Sequence, residues 1–188
     1  SWMWKRHAGF DVVAVKPGAA GDKIPHNLGR VPEMIWAKDR GQSSEWSIYH
    51  KGLNGGTNPE QYRLKFTSDA EQDTTNAWND EAPTSTHFTV GSWPATNEML
   101  FMLFASVDGI CKVGTYSGSS SDVSVTTGFQ PRLVILKRFT GAAGTGDWYV
   151  YDTTRGFTGS GSDDKALKLN STAAQTTMTT GTVTSTGF

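Results

Sequence analysis

Apolar and polar positions alternate along this chain in short bursts, and no stretch sustains a helical period. Phe10-Asp11-Val12-Val13-Ala14-Val15, Met34-Ile35-Trp36-Ala37-Lys38 and Trp148-Tyr149-Val150-Tyr151-Asp152 are each a few residues of β-branched or aromatic side chains. Such runs suit a pleated, half-buried surface. Gly, Pro, Asn and Ser punctuate the chain between them, as turns require. The pattern predicts an all-β chain with strands near 10–16, 33–38, 46–50, 62–67, 86–90 and 99–106. Further strands are expected near 110–116, 132–138, 147–152, 165–170 and 183–188. The longest apolar run, Met99 to Ala105, is seven residues. A bilayer-spanning helix needs about 20, so the run reads as a central strand covered on both faces, with no membrane insertion.

The pattern also repeats. Phe10 to Gly18 lies over Ile110 to Gly118 at an offset of 100. Gly29-Arg30-Val31-Pro32 falls on Gly128-Phe129-Gln130-Pro131, and Met34 to Lys38 on Leu133 to Lys137, both at 99. Glu45-Trp46-Ser47-Ile48-Tyr49-His50 matches Asp147-Trp148-Tyr149-Val150-Tyr151-Asp152 at 102, and Leu64 to Ala70 matches Leu167 to Ala173 at 103. Thr84-Ser85-Thr86-His87-Phe88 matches Thr184-Ser185-Thr186-Gly187-Phe188 at 100. The order is preserved and the drift falls in loops, where insertions cost little. The expectation is two tandem β-sandwich-like repeats of about 100 residues, the second incomplete. Residues 1–8 would be the end strand of a preceding module, 9–108 the first repeat and 109–188 the second. Trp2 to Lys5 precedes Met102 to Ala105 by 100 residues. The second copy stops short of a counterpart to Met99–Ala105, so its last central strand is missing.

Composition narrows the functional classes. The 17 Lys and Arg balance 18 Asp and Glu, for a net charge of −1. A protein that neutralises several phosphates carries a cationic surplus, so nucleic acid is not an expected partner. The 24 Thr, 17 Ser and 21 Gly reinforce the all-β reading. A lone cysteine, Cys111, can form neither an internal disulfide nor a Cys-rich metal site.

Candidate chemistry is sparse. His7, His26, His50 and His87 show no ligand spacing, and the acidic stretches 69–73 and 79–81 lack the alternation and glycine of a calcium loop. Neither a metal nor any other cofactor is expected. Glu45 and Asp147 form the one acidic position shared by both copies, directly before the repeated Trp; that placement suits a strand-start turn residue, and no catalytic residue is expected. Gly159-Ser160-Gly161-Ser162 introduces no nucleophile elbow. The loop Gly141 to Gly146 leads into a strand rather than the helix a phosphate loop needs. Trp46, Tyr49, Trp148 and Tyr151 recur in both copies and read as scaffold. Trp78 and Trp93 stand in polar surroundings, with Asp80 and Asn97 nearby in sequence. These four are the expected ligand-binding residues, because amphipathic aromatic faces with polar neighbours suit sugars.

Taken as a set, these motifs resemble a known family. They include Trp4-Lys5-Arg6 running into Gly9-Phe10-Asp11-Val12-Val13, His26-Asn27-Leu28-Gly29-Arg30-Val31-Pro32, Trp46-Ser47-Ile48-Tyr49-His50, Trp78-Asn79-Asp80 and Pro83-Thr84-Ser85-Thr86. The second copy adds Lys112-Val113-Gly114-Thr115-Tyr116-Ser117-Gly118, Asp147-Trp148-Tyr149 and Leu169-Asn170-Ser171-Thr172-Ala173-Ala174. The chain is similar to the repeated β-module of tailed-phage tail and tail-fibre proteins, over nearly its whole length. That resemblance implies a virion structural protein of the tail, extracellular when functioning. It implies a homotrimer contacting neighbouring virion proteins, with host-surface glycan as its binding partner and no enzymatic activity. Trp93-Pro94 departs from the polar loop of the family. The competing expectations are a carbohydrate-active enzyme or its lectin module, and a purely architectural spacer.

Overall fold

The computed structural model describes residues 8–67, 69–73, 77–92, 97–141, 146–158, 164–178 and 181–188, with the side chains of 72 and 73 excepted. The chain divides into two compact units: Ser1–Lys65 with Glu71–Gly114, and Phe66–Ala70 with Thr115–Phe188. The first boundary after the Met99–Ala105 run therefore falls at Gly114. Residues 1–7, and the end strand expected at 1–8, lie outside the described residues save for Ala8.

Both units are built from short antiparallel strands, as the alternation predicts. The first contains β1 (Phe10–Val15), β2 (Lys23–Pro25), β3 (Met34–Asp39), β4 (Ser47–His50), β5 (Tyr62–Arg63), β6 (Gln72–Asp73), β7 (His87–Thr89) and β8 (Met99–Phe104). Its main sheet has the order β1-β8-β3-β4. The run at Met99 is thus an interior strand, flanked along its whole length by β1 and β3. Met99, Phe101 and Leu103 face one way, and there Ile35, Ala37 and Tyr49 join them. The two-stranded ribbon β2–β7 covers that face with Ile24 and Phe88. The Phe88 and Phe101 rings are 4.7 Å apart. On the opposite face Phe104 packs against Phe10 and Trp36 at 5.1 and 5.0 Å. Burying one Phe side chain such as Phe101 stabilises the fold by roughly 2–3 kcal/mol, so a strand apolar on both sides is the anchor of this unit.

Among the described residues the second unit has one sheet, of order β12-β11-β10-β9. It is made of β9 (Leu133–Lys137), β10 (Trp148–Asp152), β11 (Asp164–Lys168) and β12 (Thr176–Met178). Its smaller core joins Val134, Tyr151, Phe157, Ala166 and Val183, with Leu136, Met178 and Phe188 packed against them. Phe188 and Val125 exchange backbone hydrogen bonds of 2.7 and 3.1 Å, which stitch the last residues onto this unit.

Several expected strands differ. Residues 110–116 form no strand; Val107 and Cys111 make only an isolated bridge, and Ile110 and Tyr116 are 59% and 48% exposed. The physical reason is the neighbour: β1 has β8 beside it, and 110–116 has no such strand among the described residues. Extended segments without a paired neighbour are marginal in water. The region 62–67 shrinks to two residues plus a bridge from Leu64 to Ile48, and 183–188 makes only isolated bridges. Conversely β2, β6 and β12 are strands that the pattern did not flag, because two or three residues carry too little periodicity.

Contacts inside the two units run in parallel. Ile35 stands opposite Tyr49 in one, and Val134 opposite Tyr151 in the other. Ile48 bridges to Leu64, and Val150 pairs with Leu167. Glu45 pairs with Lys65 at 2.6 Å, and Asp147 with Lys168 at 2.5 Å. The Lys38 ammonium donates to the Ser44 carbonyl, and that of Lys137 to the Gly146 carbonyl. Thr84 N–H donates to the His87 carbonyl at 2.8 Å, and Thr184 N–H to that of Gly187 at 2.8 Å.

Candidate functional site

The four residues expected to bind ligand do not come together as a site. Trp78 is 3% exposed and belongs to the core, with its ring edge-on to Tyr49 at 5.9 Å. This corrects the expectation of a ligand platform: the polar neighbours that suggested it form the turn, while the indole points inward. Its Nε1–H finds no acceptor among the described residues. Asp80 is exposed in that turn, where Asn79 and Asp80 have φ of 55° and 49°. Successive left-handed residues favour Asn and Asp, which accounts for their presence. Asn97 donates its amide to the Asp39 carboxylate at 2.8 Å. Asp39 is solvent-inaccessible; burial opposes its charge, but the bonds from Asn97, Gly41 and Gln42 outweigh that and hold its pKa low. Asn97 is therefore part of a structural clasp. Trp93 lies outside the described residues.

The recurring aromatics divide. Tyr49, Trp148 and Tyr151 are buried, and Trp46 is half-buried. Phe66 meets Trp148 edge-on at 5.1 Å, and the Lys137 ammonium lies 5.9 Å from the Trp148 ring centre. That ammonium also donates to the Thr67 and Asp69 carbonyls at 3.1 and 2.5 Å. Burial lowers its pKa, with Asp69 and Asp147 opposing. The shared acids Glu45 and Asp147 each meet a lysine from a neighbouring segment. Lys168 and then the Asn170 amide hold Asp147 below the usual carboxylate range.

Three histidines are described, all in the first unit. His26 is 7% exposed; its Nε2 donates to the Thr84 carbonyl at 3.1 Å and its Nδ1 accepts from Leu28 N–H at 3.2 Å. Burial lowers its pKa, against the Thr84 bond and the Asp11 charge. His50 Nδ1 accepts from Gly52 N–H at 3.0 Å, and burial pushes its pKa down to about 4. Both rings are neutral structural groups at pH 7. The Cys111 thiol donates to the Ala105 carbonyl at 3.0 Å, and burial raises its pKa. Among the described residues no cluster of His, Cys, Asp and Glu could hold a metal ion. No described helix is long and apolar enough to cross a membrane.

One concavity stands out in the second unit, a shallow hollow of about 250 Å³ lined by Gln130, Pro131, Arg132, Thr153, Phe157 and Val183, among others. It opens at the start of β9. Thr153 N–H donates to the Arg132 carbonyl at 3.0 Å, the same bond that Lys51 N–H makes to Glu33 at 2.8 Å in the first unit. There Glu33 is saturated: Lys51 pairs with it, and the Ser106 N–H and hydroxyl bind its carboxylate, the former at 2.6 Å. Arg132 has no ion pair among the described residues and is exposed. The sequence carried a signal for this hollow, since the offset of 99 puts Arg132 on Glu33, a reversal of charge at a shared position.

One protein-family profile matches residues 4–188, spanning both units. The chain belongs to DUF7483, a domain of unknown function. No curated protein and no solved structure matches it. In this DUF7483 chain the third described histidine, His87 at the start of β7, has the Thr84 and Thr86 hydroxyls each 3.1 Å from its Nδ1. The hollow beside Arg132 brings an exposed charged group to the start of β9.

Proposed function

We propose that this DUF7483 chain is a structural, non-enzymatic segment of a phage tail fibre or tail appendage, built from one β-sandwich-like module present twice. The observation that carries the repeat is the set of paired contacts. The cross-strand partners Ile35–Tyr49 and Val134–Tyr151 and the ion pairs Glu45–Lys65 and Asp147–Lys168 fall at matching positions of the sequence alignment. On this reading Glu45 and Asp147 are latches between segments of each module, which removes the reason to treat them as catalytic. Rigid modules repeat along the appendage, the chain assembles as a homotrimer beside other virion proteins, and loop contacts to host-surface glycan gain strength by multivalency.

The burial of Trp78 favours a second reading, a purely architectural spacer, because it leaves Asp80 and Trp93 as the remaining ligand candidates. A glycan array separates the two. Binding that is lost in Trp93→Ala or Asp80→Ala supports the adhesin, and a parent chain that binds nothing supports the spacer. Analytical ultracentrifugation tests assembly, and a monomer at all concentrations overturns the trimer. Polysaccharide turnover abolished by Glu45→Gln would overturn the non-enzymatic role.

A further inference from the structure

The edge of β9 is where the two units part company. In the first unit β3 lies between β4 and β8. In the second, β9 pairs with β10 on one side, and no described strand pairs with it on the other. The bond from Thr153 N–H to the Arg132 carbonyl fixes the phase of this ladder. In an antiparallel pair the backbone groups alternate sides, so Val134 and Leu136 address β10 while Leu133, Ile135 and Lys137 turn their N–H and C=O outward. Four of these five residues are apolar, and only Val134 is fully buried. An apolar edge with unpaired backbone groups is a template for another strand.

The first unit shows what such an edge takes. There β8 runs antiparallel to β3, from Met99 opposite Asp39 to Phe104 opposite Met34. Two residues beyond Phe104, Ser106 reaches the Glu33 carboxylate. In the second unit the corresponding position is Arg132, exposed at the mouth of the hollow. We infer that the open edge of β9 binds an extended polypeptide strand, antiparallel and apolar on both faces like β8, with an acidic residue just past its end that pairs with Arg132. The occupant's charge follows from the reversal: an arginine in place of a glutamate selects a carboxylate in place of the Ser106 donors. Residues 2–6 of a second copy are apolar enough, but the same alignment would set Arg6 against Arg132, so that copy is not the occupant. The inference rests on the two-module reading and not on any role in a virion.

Hydrogen exchange on the full chain tests it. The probe is a peptide of residues 98–107 carrying Ser106→Asp, with a Gly/Glu tail at its N-terminus for solubility. Without the peptide, the amides of Leu133, Ile135 and Lys137 exchange rapidly while Val134 and Leu136 are protected. With it, the three outward amides slow by about 100-fold and the inward pair is unchanged. A probe with Ser106→Lys binds at least tenfold more weakly to the parent, and Arg132→Glu reverses that preference. Ile135→Pro removes an outward donor without touching a β9–β10 bond and abolishes binding; Ile135→Lys checks the same edge should the proline variant fail to fold. Outward amides already protected in the free chain, or unaffected by the peptide, would overturn the inference, as would equal affinity for the two probes. The ion-pair variants described below test the two-module reading separately, so each can fail alone.

Discussion

The strands β3 and β9 have the same kind of sequence and each pairs with the strand that follows it, yet among the described residues β3 is interior and β9 is not. The inner flank of β3 carries β8, and that one strand brings Met99, Phe101, Leu103 and Phe104 into two apolar layers. Among the described residues β9 has no such neighbour, and the second unit has the smaller core and an exposed Arg132 where Glu33 is saturated. A sheet therefore depends less on each strand's own propensity than on whether its neighbour is present.

Perturbations of unequal size probe that contrast. The largest effect is expected from the β8 core: Leu103→Ala, at a site with no solvent exposure, should cost about 2–5 kcal/mol in urea unfolding. Trp78→Ala should cost about 3–5 kcal/mol, as for a core aromatic. A change below 1 kcal/mol for either would break the account of where this unit's stability resides. Acid should discriminate between the units by an intermediate amount. The folded His50 pKa of about 4 lies below its ordinary 6.5, so the unfolded state binds the proton more readily. Its contribution, on the order of 3 kcal/mol, is fully present above pH 6.5 and is lost as pH falls towards 4. The lowered pKa of His26 acts with the same sign. The second unit contains no histidine, so between pH 6.5 and 4 the slope of stability should report the first unit, and His50→Gln should flatten it.

Overpacking tests the second unit. A Cβ at Gly187 would stand 1.9 Å from the Val125 carbonyl oxygen, so Gly187→Ala should destabilise by about 1–3 kcal/mol and loosen the stitch at Phe188. The smallest effects sharpen the comparison most. Lys65→Ala and Lys168→Ala remove ion pairs at matching positions and should lower the Tm by similar steps of about 1–3 °C, diminished by salt. Clearly different losses would count against one module used twice.

Strands of five or six residues were legible from alternation, and β1, β3, β8, β9 and β10 fall within a residue or two of expectation. Tyr49 and Tyr151, read as scaffold, are both buried. What failed was local in appearance and tertiary in cause. Trp78 sits among Asn and Asp because it precedes a left-handed turn, and nothing in those neighbours reveals that its ring faces Tyr49. Asn97 looked free to bind a ligand, although its partner Asp39 is 58 residues away. Residues 110–116 have a strand's composition, but composition does not supply the neighbour that β1 has.

The carbonyl cage around Lys137 has a practical consequence. All three ammonium hydrogens have acceptors from Thr67, Asp69 and Gly146, and an acylating reagent needs the free amine lone pair. Labelling of this lysine must wait for the cage to open, while solvent-facing lysines react at once. The lag between them, followed by mass spectrometry, would make Lys137 a built-in clock for the breathing of the second unit.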